Sequence, residues 1–146
     1  MSYSFQNPSQ DIIFDYLKNA KTIAVVGLSS REETAAYRVS KLMQEAGYKI
    51  IPVNPKAAGG TILGELVYSS LAEIDQPIDI VDIFRRSEFL PEVAQEFIQS
   101  NAKVFWAQLG LESQEAEKLL RQAGRNDIVM NKCIKIEYFE MKEQYE

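Results

Sequence analysis

The sequence predicts one α/β domain, a doubly wound, mostly parallel five-stranded sheet with helices on both faces. Three observations carry this. Apolar, β-branched runs recur at Thr22–Val26, Lys49–Val53, Ile78–Phe84, Lys103–Trp106 and Ile128–Met130. Runs without polar alternation mark strands buried on both faces, as in parallel sheets. Between them lie segments with apolar residues at helical spacing, opened by capping residues and closed by glycine. Strand, loop, helix, strand then implies right-handed crossovers.

Each element has its own signal. Asn7-Pro-Ser-Gln10 is expected to open a first helix, with Asn7 as cap, Pro8 in the first helical position and Gln10 completing a capping box. Ile12, Ile13, Tyr16, Leu17 and Ala20 would form its packing face. Thr22–Val26 ends at Gly27, and the polar stretch from Leu28 to Glu33 reads as a loop. A helix follows over about Thr34–Ala46, with Ala36, Val39, Met43 and Ala46 inward and Gly47 as its stop. After the second strand, Ala57–Gly60 is a flexible turn, Thr61–Tyr68 an extended connection and Ser70-Leu-Ala-Glu73 a capping box for a short helix. Ser87 is expected to cap a helix reaching about Ser100, and Ser113 one that stops at Gly124. The segment from Cys133 to about Lys142 allows a helix or a sixth strand, with the helix favoured.

The chain of 146 residues suits a single domain over 1–146, with 1–20 as an N-terminal helical extension. Its one cysteine, Cys133, excludes an intramolecular disulfide and fits a reducing compartment. No apolar stretch approaches the roughly 20 residues needed to span a bilayer, and no targeting segment is visible. A cytoplasmic protein without membrane contact is therefore expected. A net charge of −5 argues against a nucleic-acid partner. Histidine is absent, which removes histidine bases, Ser-His and Cys-His pairs and histidine-ligated metals. No metal and no catalytic residue is expected.

In an open α/β sheet, ligands bind beyond the carboxyl ends of the strands. Those ends carry Gly27-Leu-Ser-Ser-Arg31, Asn54-Pro-Lys56, Phe84-Arg-Arg86, Gln108-Leu-Gly110 and Asn131-Lys-Cys133; all but the Gln108 turn contain a Lys or Arg. On an acidic chain this puts cations at the edge where such sheets receive phosphates. Gly27 permits a tight turn, Ser29 and Ser30 can donate hydrogen bonds, and Arg31 and Arg38 could pair with phosphate at a helix N-terminus. The pattern G-x-G-x-x-G is absent. NAD sites place Asp or Glu after the second strand, whereas this chain has Asn54, Pro55 and Lys56. A cation there suits a ribose phosphate, which both NADP and coenzyme A carry. Phe84 could flank a pantetheine or adenine, and Arg85 a pyrophosphate; Arg86 reads rather as a surface ion pair. Trp106 reads as core, while Gln108 and Gly110 would face the crevice, and Tyr37 either lines it or packs. Cys133 reads as a small buried apolar residue or, beside Lys132 and Lys135, as a reactive thiol.

Over about Lys21–Glu137 the chain resembles the bacterial CoA-binding protein family, through Val26-Gly-Leu-Ser29, Tyr37-Arg-Val39, Ile51-Pro-Val-Asn-Pro-Lys56, Ile80-Val-Asp-Ile-Phe-Arg85, Trp106-Ala-Gln-Leu-Gly110 and Cys133-Ile-Lys-Ile-Glu137. That family is similar in fold to the N-terminal domain of the succinyl-CoA synthetase α subunit. The resemblance implies a Rossmann-like domain with coenzyme A or an acyl-CoA across the turns. Gly27, Ser29, Ser30 and Arg31 would lie near the phosphates, Lys56 near the ribose 3′-phosphate, and Phe84-Arg85 beside the pantetheine. The chain departs from the family in the loop Arg31-Glu-Glu-Thr34, which lacks proline, and in Asn131-Lys132 ahead of the cysteine. The synthetase chemistry does not carry over, because it needs a phosphorylated histidine and a further domain. Two other readings compete: an NADP-dependent oxidoreductase domain, and a ligand-free interaction domain whose basic edge meets an acidic protein surface; the sequence also allows a homodimer or a partner protein.

Overall fold

The computed structural model describes residues 2–145. In chain order the elements are α1 (Gln10–Asn19), β1 (Thr22–Val26), α2 (Ala35–Glu45), β2 (Lys49–Val53), β3 (Thr61–Ile62), β4 (Glu65–Leu66), β5 (Ile80–Ile83), α3 (Leu90–Gln99), β6 (Val104–Ala107), α4 (Gln114–Gln122), β7 (Ile128–Val129) and α5 (Ile134–Tyr145). Short 3₁₀ turns cover Pro55–Ala57, Leu71–Glu73 and Ser87–Phe89. The five-stranded sheet runs β2-β1-β5-β6-β7 with every pairing parallel, and β3-β4 form a separate antiparallel hairpin. The expected doubly wound, Rossmann-like α/β sheet is what forms. Among the described residues, no helix is long and apolar enough to cross a membrane.

Alternation along each strand feeds two cores. Ala24, Val26, Val81, Ile83 and Phe105 meet Leu90, Val93 and Phe97 of α3 and Ala116 and Leu120 of α4. Ile23, Val25, Ile80, Val104 and Trp106 meet Ile13, Phe14 and Leu17 of α1, Val39 and Met43 of α2 and Met141 of α5. Each such large side chain contributes about 1.5–3 kcal/mol by leaving water.

The sequence expectation errs at several edges. Ser9, not Asn7, stands at the α1 N-cap, and its side chain makes no capping bond. Asn7 is drawn off to β7: its Nδ2 donates to the Met130 carbonyl at 2.8 Å, and the Met130 N–H donates to its Oδ1 at 3.1 Å. Gln10 likewise donates to Glu137 Oε1 at 2.6 Å instead of closing a capping box. The buried face of α1 is Ile13, Phe14 and Leu17, so Ile12, one step to the other side, is exposed. Ala46 is exposed too, because the helix has already ended. Thr61–Tyr68 contains a hairpin: Leu63 (φ 55°) and Gly64 (φ 77°) turn it as a two-residue loop with both residues left-handed. Ser70 makes no side-chain cap, although Glu73 reaches back to accept from the Ser69 N–H at 2.8 Å. Ser87 opens a 3₁₀ turn rather than capping the helix, and its Oγ accepts from the Glu112 N–H at 3.1 Å. The helix proper starts at Leu90, where Pro91 fits the first turn. Ser113 does cap α4, accepting from the Ala116 N–H at 3.1 Å, and Thr34, expected as the first helical residue, instead caps α2, accepting from the Tyr37 N–H at 3.3 Å. The segment after Cys133 is the helix α5.

Candidate functional site

From β1 the chain first adds β2 on one side and later returns to place β5 on the other. The switch in strand order therefore lies between β1 and β5, the place where such sheets leave a crevice. Backbone hydrogen bonds stitch the turns there into one rim. The Gly27 N–H donates to the Val53 carbonyl at 2.9 Å, the Phe84 N–H to Val26 at 2.9 Å and the Gln108 N–H to Ile83 at 3.3 Å. Gly27 adopts φ +90°, and a Cβ there would lie 2.9 Å from the Phe84 carbonyl oxygen.

Asn54 ties two turns together. Its Nδ2 donates to the Leu28 carbonyl at 2.9 Å, and its Oδ1 accepts from the Lys56 N–H at 2.9 Å. Pro55 starts the 3₁₀ turn, which leaves Lys56 exposed and, among the described residues, without an ion pair. In the loop after β1, Ser29 Oγ accepts from the Arg31 N–H at 3.0 Å, and Ser30 is exposed. Arg31 Nε donates to Glu33 Oε1 at 2.8 Å, and Arg38 Nη1 donates to the Glu33 carbonyl. Both guanidiniums thus fold onto Glu33. A backbone hydrogen bond, then Arg31, hold the Glu33 carboxyl below its usual range. Solvent screens exposed contacts of this kind, so they hold the two guanidiniums only weakly.

A cavity of about 430 Å³ opens at the same edge, between the start of α2, the turns after β5 and β6, and the start of α5. Phe84, Arg85 and Gln108 line it, as does Cys133. Gly27, Ser29, Ser30, Arg31, Asn54, Pro55, Lys56 and Gly110 do not; Tyr37 and Arg38 line a separate depression on the outer side of α2 with Glu32 and Lys41. Gly110 corrects the sequence expectation: its N–H does not face the crevice but donates to Asn131 Oδ1 at 2.7 Å. Arg85 stacks 4.4 Å above the Phe89 ring and pairs with Glu92 at 3.7 Å, while Arg86 pairs with Glu88 at 3.5 Å as the sequence suggested. Gln108 is only 5% exposed, and its Oε1 accepts from the Ile134 N–H at 3.1 Å. Trp106 is core; its indole donates to the Lys132 carbonyl at 2.9 Å and so fixes the turn that carries Cys133.

The sequence reading missed the apolar walls Val39, Leu109 and Ile136. Val39 reads as ordinary core from helical spacing. Leu109 and Ile136 had a signal, being large apolar residues beside strand-end turns, and they stay 65% and 45% exposed. Asp82, two residues before Phe84, is buried, with no partner for its Oδ1 among the described residues, and burial raises its carboxyl well above the usual range.

Residues 21–139 match a family described as a CoA binding domain. An uncharacterized protein of Bacillus subtilis, YneT, is 53% identical over 131 residues, covering 90% of this chain and 95% of its own length. The α subunit of an ADP-forming acetate–CoA ligase of Pyrococcus furiosus is 34% identical over 119 residues, covering 75% of this chain; the match spans only 26% of that subunit. Among solved structures, cell-free ID.343 from Thermus thermophilus superposes with a TM-score of 0.87 at 32% identity, over 92% of this chain and 99% of its own. With the match extending over most of its length, the chain belongs to the CoA-binding-domain family.

Proposed function

We propose that this protein binds coenzyme A or an acyl-CoA along the rim of the switch point, as a cytoplasmic binding module rather than a catalyst. One observation carries the reading: an apolar cavity adjoins a rim bearing Arg31, Lys56 and Arg85. Coenzyme A has the matching form, a phosphorylated nucleotide at one end and a long, weakly polar arm at the other. In this reading Gly27, Ser29, Ser30 and Arg31 meet the pyrophosphate, Lys56 the ribose 3′-phosphate, and Phe84 and Gln108 the pantetheine. Tyr37 and Arg38, on the outer side of α2, and Gly110, whose N–H is already engaged, keep at most peripheral roles.

Calorimetric titration under reducing conditions tests the proposal. Saturable one-to-one binding of coenzyme A, with NADPH binding at least tenfold more weakly, is expected. Equal or tighter binding of NADPH, or no heat with coenzyme A, overturns it.

A further inference from the structure

We infer that the far end of the cavity is an acyl subsite, so that the protein takes coenzyme A as the thioester of a short, uncharged hydrocarbon acyl group. The inference rests on the binding mode just proposed and names the part of the ligand that lies past the pantetheine.

Sheet order gives the cavity a direction. Phe84 follows β5, next to β1 and the cationic rim, whereas Leu109 and Leu111 follow β6, one strand farther out. Ile136, in the first turn of α5, lines the same space. A pantetheine arm that enters past Phe84 runs toward these apolar walls, and whatever its sulfur carries lies against them.

The walls are set before a ligand arrives. Leu109 and Ile136 are large apolar side chains left exposed at one concave mouth, the mark of a binding groove. The turn that carries Leu109 is tied down on both sides. The Leu111 N–H donates to the Gln108 carbonyl at 2.9 Å, the Gly110 N–H to Asn131 Oδ1 at 2.7 Å and the Asn131 N–H to the Leu111 carbonyl at 3.0 Å. The Ile134 N–H, donating to Gln108 Oε1 at 3.1 Å, fixes the start of α5 to the same turn. A hydrocarbon chain laid on Leu109 and Ile136 therefore gains burial at little ordering cost. Lys135 is the cavity's one cation without an ion pair among the described residues, so a chain ending in a carboxylate is the rival occupant.

Calorimetry on the wild-type protein with free coenzyme A and its acetyl, butyryl, hexanoyl and succinyl thioesters tests the subsite. Affinity is expected to rise about tenfold for every two methylenes from acetyl to hexanoyl. Butyryl-coenzyme A is expected to bind at least tenfold more tightly than succinyl-coenzyme A, which has the same number of acyl carbons. The double variant Leu109→Ser, Ile136→Ser, altered only at exposed positions, is expected to lose most of the dependence on chain length. A flat series, a succinyl thioester that binds as tightly as the butyryl one, or a folded double variant that keeps the full dependence overturns the inference. If free coenzyme A binds while the series is flat, only the acyl subsite fails. If neither coenzyme A nor any thioester binds, the functional proposal falls and the subsite with it.

Discussion

The carbonyl oxygen of Phe84 stands where a side chain on Gly27 would begin, 2.9 Å from the position of a Cβ. β1 and β5 thus emerge from the sheet with their backbones in direct contact at the switch point. Phe84 lines the cavity at this point, and the loop after β1 leads on to α2.

Gly27→Ala should destabilise the fold by about 2–3 kcal/mol, since it adds both a left-handed backbone cost and a collision with backbone. Urea unfolding of the variant measures it. A loss below about 0.5 kcal/mol would show that the contact is soft.

Lys56→Glu should weaken coenzyme A binding at least tenfold, about 1.4 kcal/mol. Dephospho-coenzyme A, which lacks the ribose phosphate, should lose less than about threefold. Calorimetry with both ligands reads the difference, and equal losses would remove Lys56 from the ribose phosphate.

Asp82 should make stability depend on pH. An unfolded Asp titrates near ~3.9, whereas burial holds the folded carboxyl well above that. The folded state therefore keeps an extra proton between the two values. Its contribution is complete below the unfolded value and is lost as pH rises toward the folded one, at up to about 1.4 kcal/mol per pH unit. Asp82→Asn, which cannot ionise, should remove that slope and be the more stable form at the alkaline end. Denaturant midpoints at pH 5 and pH 8 compare the two proteins; parallel profiles would count against a raised carboxyl.

Asn7→Ala should cost about 1–3 kcal/mol, because it strips both hydrogen bonds from the buried backbone of Met130. Thermal unfolding measures it, and an unchanged melting temperature would mean that water replaces the amide.

The strands were legible because their signal is local. Unbroken apolar runs such as Thr22–Val26 need no knowledge of their neighbours. The cap Ser113 was legible for the same reason, since it bonds an N–H three residues away. Asn7, Gln10 and Ser87 misled because each carries a capping side chain that a distant partner claims: Met130, Glu137 and Glu112. Gly110 misled likewise, through Asn131.

By itself, the amino-acid order determined which segments become strands and helices, and that cations cluster in the turns after the strands. Only the tertiary structure decided which turns meet. The return of β5 to the far side of β1 joins Phe84 to Gln108 and Cys133 around one cavity and leaves Tyr37 and Arg38 outside it. The physical reason is that burial periodicity acts over a few residues, whereas the pairing of distant strands is settled by packing of the whole sheet.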